Sequence, residues 1–132
     1  MTRREIRENI FCLIFQYEFY GAAGYDEQRD IFLEESSLSD KEEREVVEKL
    51  EKLLSLLPDI DGMIAGSSKG WKLDRIAKAE LAILRLAVFE AMYDDGVPVG
   101  VAVNEAVELA KAYGDDNAPA FVNGILGKIV NE

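Results

Sequence analysis

The sequence predicts an all-α protein, and three observations carry that expectation. Apolar residues recur at intervals of three and four over most of the 132-residue chain, the spacing that lines one face of a helix. Glycine, proline and serine fall between these stretches, where they punctuate helices. The one β-branched cluster, Val97 to Val103, is spoiled as a strand by Pro98 and Gly100. At this length one domain with a real core is expected, and a hydrophobic content of 48% argues against disorder.

The first helical stretch runs from Arg3 to Tyr20, with Ile6, Ile10, Leu13, Ile14 and Tyr17 on one face. At about 100° per residue, Phe11 and Phe15 fall outside that stripe, on the side shared by Arg4 and Arg7. The helix thus has two apolar faces, the second headed by arginines. One can serve the core; the other needs a further layer of the fold or an outside partner. Gly21 and Gly24 are expected to end the helix. A short helical piece follows over about residues 27–34, and Ser37 to Ser39 is a break. Ser39 and Glu42 have the spacing of a capping box, in which each side chain closes the other's free backbone N–H. The helix starting there carries Val46, Val47, Leu50, Leu53, Leu54 and Leu57 until Pro58 kinks or ends it. Helical pattern resumes through Ile60, Met63 and Ile64, Gly66 to Gly70 make a loop, and Trp71 to Ile76 a short helical turn.

Ala79 to Tyr93 is the most hydrophobic stretch, and its charges, Glu80, Arg85 and Glu90, project in widely different directions. A helix apolar nearly all round belongs in the middle of a bundle. Arg85 would then be partly buried and need a carboxylate, for which Glu90 and Glu105 are candidates. Gly96 and Pro98 mark a turn, and a helix from Val99 to Tyr113 ends at Gly114. Asp116 or Asn117 is expected to cap the last helix, Ala118 to Val130, giving about six to seven helices in all.

Composition narrows the chemistry. The chain has no histidine, which removes Ser–His and Cys–His nucleophile pairs and the commonest metal ligand. Cys12 is alone, so no intrachain disulfide forms; it reads as a structural thiol in a reducing compartment. Gly62, Gly66 and Lys69 lack the spacing of a phosphate loop, and Asp94–Asp95 and Asp115–Asp116 match no calcium loop. No catalysis, cofactor or metal is therefore expected. The apolar stretch from Ile10 to Phe15 is short for a signal peptide, and Arg85 and Glu90 interrupt the longest apolar run, Leu81 to Met92. A soluble, cytoplasmic protein with no membrane partner is the expectation.

Charge supplies the one specific idea. The formal net charge is −11, so nucleic acid is repelled on average, yet Arg3, Arg4 and Arg7 cluster at the head of the first helix. Separated by three and four residues, these guanidinium groups can reach one phosphate track. Few phosphates would be contacted, so affinity should be modest and salt-sensitive. The competing reading is a solvated helix end.

Beyond pattern, the chain carries Trp71, Arg75, then Ile83-Leu84-Arg85-Leu86-Ala87-Val88-Phe89-Glu90 and Val97-Pro98. Val103-Asn104-Glu105-Ala106-Val107-Glu108-Leu109-Ala110-Lys111, Gly114 and Phe121-Val122-Asn123-Gly124-Ile125-Leu126 follow in order. With the Arg-Arg-x-x-Arg-Glu start and Phe15-Gln16-Tyr17-Glu18, this closely resembles the NusB family of bacterial transcription antitermination factors. The segments around Asn104-Glu105 and Phe121 to Gly124 are specific, whereas residues 21–70 match only in helical character.

The resemblance implies a single all-helical domain of two packed helical bundles, spanning residues 1–132. It implies work with NusE, a ribosomal small-subunit protein, on the boxA element of nascent RNA. The resulting complex, which engages RNA polymerase indirectly, resists termination, notably on ribosomal RNA operons. By matching, Arg3, Arg4 and Arg7 are RNA contacts, and Phe121 is an aromatic contact on which a single-stranded base stacks. On spacing alone Phe121 reads as a core residue. Phe15 and Glu80 match positions that meet NusE, which gives the second face of the first helix a role. Asn104 and Glu105 read as an inter-helix polar network, with Glu105 near Arg85. Two departures from the family pattern point to weak RNA binding by the chain alone. Asn117, Ala118, Pro119 and Ala120 stand where the family has an acidic residue, a small polar one and a lysine, and Glu5 breaks the arginine run. A basic NusE-like partner would supply the missing positive charge. The alternatives are a homodimeric protein-interaction module, a ribosome-assembly factor without sequence-specific RNA binding, and a role in trans beside an RNA methyltransferase.

Overall fold

The computed structural model describes residues 1–68 and 72–131. Lys69, Gly70 and Trp71, part of the expected loop and short turn, lie outside the described residues, as does Glu132. Among the described residues six α-helices follow one another: α1 (Arg3–Glu35), α2 (Asp40–Ser55), α3 (Leu57–Ser67), α4 (Lys78–Tyr93), α5 (Val99–Tyr113) and α6 (Ala118–Val130). A 3₁₀ turn, Leu73–Arg75, precedes α4, and no strand occurs among the described residues, as an all-α chain requires. The chain divides into two compact units, Met1–Leu54 and Ser55–Glu132.

In the first unit, α1 begins with a capping box that the spacing of Thr2 and Glu5 encodes. The Thr2 hydroxyl accepts from the Glu5 backbone N–H at 3.1 Å, and the Glu5 carboxylate accepts from the Thr2 N–H at 2.9 Å. Glu5, which interrupts the arginine run, thus starts the helix that carries it. Ile6, Ile10, Leu13 and Ile14 are buried as their periodicity requires, and Phe11 is buried with them. Tyr17, expected on the same face, is only half-buried and meets Tyr25 edge-on at 5.3 Å. Burial pushes the Tyr25 phenol up to about 12.

The expected break at Gly21 is found, and the expected stop at Gly24 is corrected. Only Gly21 leaves helical geometry, at φ 68° and ψ 179°, and helix resumes at once through Gly24 to Glu35. That region is open essentially to glycine alone. One such residue redirects the chain, and the good helix formers Ala22 and Ala23 then restart it, so α1 is two helical segments joined by a kink at Gly21. The Ser39–Glu42 capping box forms as read: Ser39 N–H donates to Glu42 at 2.9 Å, and Glu42 N–H to the Ser39 hydroxyl at 3.2 Å. α2 then buries Val46, Leu50 and Leu53.

In the second unit α4 is the central helix, packed by α3, α5 and α6, and its ten residues Leu81 to Glu90 are all buried. Each large aliphatic among them contributes about 1.5–3 kcal/mol by leaving water. As expected, the helix breaks ahead of Pro58: α2 ends at Ser55, and Pro58 sits in the first turn of α3, where its missing N–H costs nothing. Asp61 of α3, a residue absent from the expected pair of candidates, supplies Arg85 with a carboxylate at 2.9 Å from Nε and 3.0 Å from Nη2. Lys128 of α6 reaches the Ser67 carbonyl at the end of α3 at 3.4 Å, where a cation suits the helix C-terminus.

Between α5 and α6 the expected side-chain cap is not made. Asn117 is the N-cap residue, but its side chain accepts no capping hydrogen bond, and Asp116 lies outside the cap position. The reason is local: the Asn117 backbone, at φ −92° and ψ −13°, is helical rather than extended as a capping residue's is, and Pro119 in the first turn has no N–H to give. The Asp115 carboxylate instead accepts from the Asn117 N–H at 2.9 Å. Asn104, read as part of a polar network, is exposed, and its side chain makes no hydrogen bond among the described residues.

Candidate nucleic-acid and partner surfaces

The capping box holds the head of α1 so that Arg3 and Arg4 are exposed and Arg7 is half-buried. The start of α1 meets the start of α2. Arg3 donates Nη1 to one Glu45 oxygen at 2.7 Å and Nη2 to the other at 2.8 Å, a two-pronged pair. The Met1 amine donates to Glu42 at 2.8 Å. These contacts show in the acid–base behaviour of the groups. Arg3 holds Glu45 below the ordinary carboxylate range and is itself raised by that hydrogen bond. The Met1 amine, with Ser39, draws Glu42 down to about 2. The sequence reading placed the three arginines together but did not foresee that Arg3 is already met by an acid. The acidic run Asp40, Glu42, Glu43, Glu45 was visible; its proximity to Arg3 was not.

Below the arginines runs an aromatic ladder. Phe11 and Phe15 have ring centroids 6.2 Å apart, and Phe15 and Phe19 meet edge-on at 4.9 Å. Exposure rises along it: Phe11 is buried, Phe15 half-buried, and Phe19 58% exposed. Phe15 therefore lies about 12 Å along the same helix from Arg7. Phe19 was missed, although a step of four from Phe15 would have found it.

Phe121 and Glu80 belong to the second unit. Phe121 lies in the opening of α6 and is half-buried, so its ring is neither fully in the core nor free of it. Glu80 lies in the first turn of α4, also half-buried. Burial raises its carboxyl above the ordinary range, and the charge of Asp115 adds to the rise. Asp115 thereby joins Glu80 as an acidic neighbour that the sequence reading took only for a turn residue.

Among the described residues no group of acids and thiols has the arrangement to hold a metal ion. No described helix is long and apolar enough to cross a membrane.

Fold and surface together define a small all-α protein of two helical units, whose first helix bears arginines at its head and an aromatic stripe below. The NusB family model matches residues 4–131, and the chain belongs to the NusB family. It is 45% identical to the transcription antitermination protein NusB of Lachnoclostridium phytofermentans, over 99% of this chain and 100% of that protein. Its backbone is similar to that of T. maritima NusB, with a TM-score of 0.88 and 30% identity over 100% of this chain and 92% of that one. It is also similar to a chain in the crystal structure of antitermination factors NusB and NusE in complex with dsRNA. There the TM-score is 0.83 at 25% identity, over 99% of this chain and 98% of that one.

Proposed function

We propose that this chain is a transcription antitermination factor, a non-catalytic RNA-binding adaptor of the cytoplasm. With NusE it binds boxA RNA in nascent transcripts and supports processive transcription of ribosomal RNA operons, reaching RNA polymerase through the assembled complex. The observation that carries this reading is the arginine head of α1 on an otherwise anionic chain. The likeness to the NusB–NusE–RNA structure supports it. Arg3, Arg4 and Arg7 contact the phosphate track, and Phe121 offers a half-exposed ring for base stacking. Phe15 and Glu80 meet the partner, whose positive charge suits the acidic pair Glu80 and Asp115.

The test is a gel shift with boxA-like RNA, with and without NusE. Arg4→Ala and Arg7→Ala should each weaken binding and reduce the salt slope by about one, with the circular-dichroism spectrum unchanged. Undiminished affinity in both variants overturns the assigned surface. The exposed Phe19 (58%) and Tyr20 (52%) favour a second reading, a homodimer formed through α1, which light scattering with and without NusE distinguishes.

A further inference from the structure

The seat that α1 would offer a phosphate is already filled by an anion of the protein's own. Two nitrogens of the Arg3 guanidinium grip the two Glu45 oxygens at 2.7 and 2.8 Å. Two oxygens of a phosphodiester present nearly the same fork to a guanidinium, so carboxylate and phosphate compete for one pair of N–H donors. Glu42 adds a second negative charge that acts on Arg3. Glu45 also has somewhere to go. Lys41 and Lys49, one helical turn to either side of it on α2, act on its carboxylate, so a released Glu45 is not left without cations.

We propose that Glu45 is a built-in competitor for RNA, occupying the Arg3 seat in the free protein and exchanging for a phosphate when the transcript docks. The proposal rests on the RNA-binding reading above and adds a residue of α2 that sets its strength. The exchange is feasible because neither side of the pair is deep: the Arg3 side chain is 70% exposed and that of Glu45 41%. Such pairs are weak and salt-screened. Glu45 therefore lowers the affinity of the protein for RNA without closing the site. It also biases the chain toward RNA presented by a basic partner, whose charge offsets the competing carboxylate.

The test measures binding of labelled boxA-like RNA to the full chain with NusE, at low salt, for four proteins: wild type, Glu45→Gln, Glu48→Gln, and the double variant Glu45→Gln with Arg3→Ala. Glu48 lies on the exposed side of α2 and carries the same charge, with no ionic partner among the described residues. Glu45→Gln should tighten binding about two- to fivefold, Glu48→Gln should change it less, and Arg3→Ala should erase the gain. Equal gains from Glu45→Gln and Glu48→Gln, with wild type binding RNA, show a general charge effect and overturn the competitor while leaving the RNA-binding reading intact. Absence of binding by all four proteins overturns that reading and the competitor with it.

Discussion

The guanidinium of Arg85 is held by the carboxylate of Asp61 through two hydrogen bonds, Nε to Oδ1 at 2.9 Å and Nη2 to Oδ2 at 3.0 Å. The arginine side chain is 7% exposed, and the aspartate, at 20%, still reaches water. Removing the acid takes two charge-assisted hydrogen bonds from a buried guanidinium inside the second unit. Asp61→Asn should therefore cost about 2–3 kcal/mol, less than the roughly 3–5 kcal/mol of a fully buried broken pair because solvent reaches Asp61. Urea unfolding measures it; an unchanged midpoint would show that Arg85 is satisfied without Asp61.

Gly114 closes α5 where there is no room for a side chain. A Cβ there would overlap the Cβ of Ala118 and lie 2.9 Å from the Ala110 carbonyl oxygen, which accepts the Gly114 N–H. Gly114→Ala should destabilise by about 1–3 kcal/mol through overpacking. Gly62, inside α3, has nothing within 4 Å of its would-be Cβ. Gly62→Ala should stabilise by about 0.5–1 kcal/mol through helix propensity. Thermal melts of the two variants should move in opposite directions, and a shared direction refutes the steric account of Gly114.

Glu42 should titrate far from its ordinary value of 4.5, near 2, because the Met1 amine and the Ser39 N–H bind its ionised form. A carboxyl lowered in the folded state adds stability that is complete above 4.5 and lost as pH falls toward 2. Glu5 and Glu45 are lowered as well, the first by Thr2 and the second by Arg3. The junction between the starts of α1 and α2 should therefore loosen across that acidic window. Carboxyl chemical shifts followed by NMR test this directly, and a Glu42 midpoint at 4.5 would contradict it.

Phe15 and Phe19 separate partner binding from core packing. Phe19→Ser changes a ring that is 58% exposed and should alter stability by less than about 0.5 kcal/mol while weakening NusE association. Phe15→Ala removes the middle ring of the ladder and should cost about 1–2 kcal/mol as well as affinity. Calorimetric titration with NusE alongside melting curves reads both. Full affinity in Phe19→Ser would confine the partner contact to other residues.

Much of the fold is written in neighbouring residues. The limits of α5, Val99 and Tyr113, follow from Pro98 and Gly114, and the Ser39–Glu42 box marks the start of α2. The burial of α4 on every side follows from its apolar circumference. Readings that leaned on one residue type alone failed. Gly24 has the composition of a stop, yet only Gly21 adopts a conformation that breaks the helix. Asn117 takes the cap position, but its backbone is helical and Pro119 offers no N–H, so its side chain makes no capping bond. The candidate surface was legible in part: Arg3, Arg4 and Arg7 stand together because they share a helix end. The half-exposure of Phe121 and the approach of Asp115 to Glu80 were not.

Helix positions, the central place of α4 and the arginine head of α1 depend on residues within a turn or two of one another, so the chain alone specifies them. Which acid answers which cation is settled by packing. Asp61 stands 24 residues before Arg85, and Glu45 stands 42 after Arg3. No local spacing links such residues, because the Coulomb and hydrogen-bond energies that join them act only over the few ångströms that helix packing brings about.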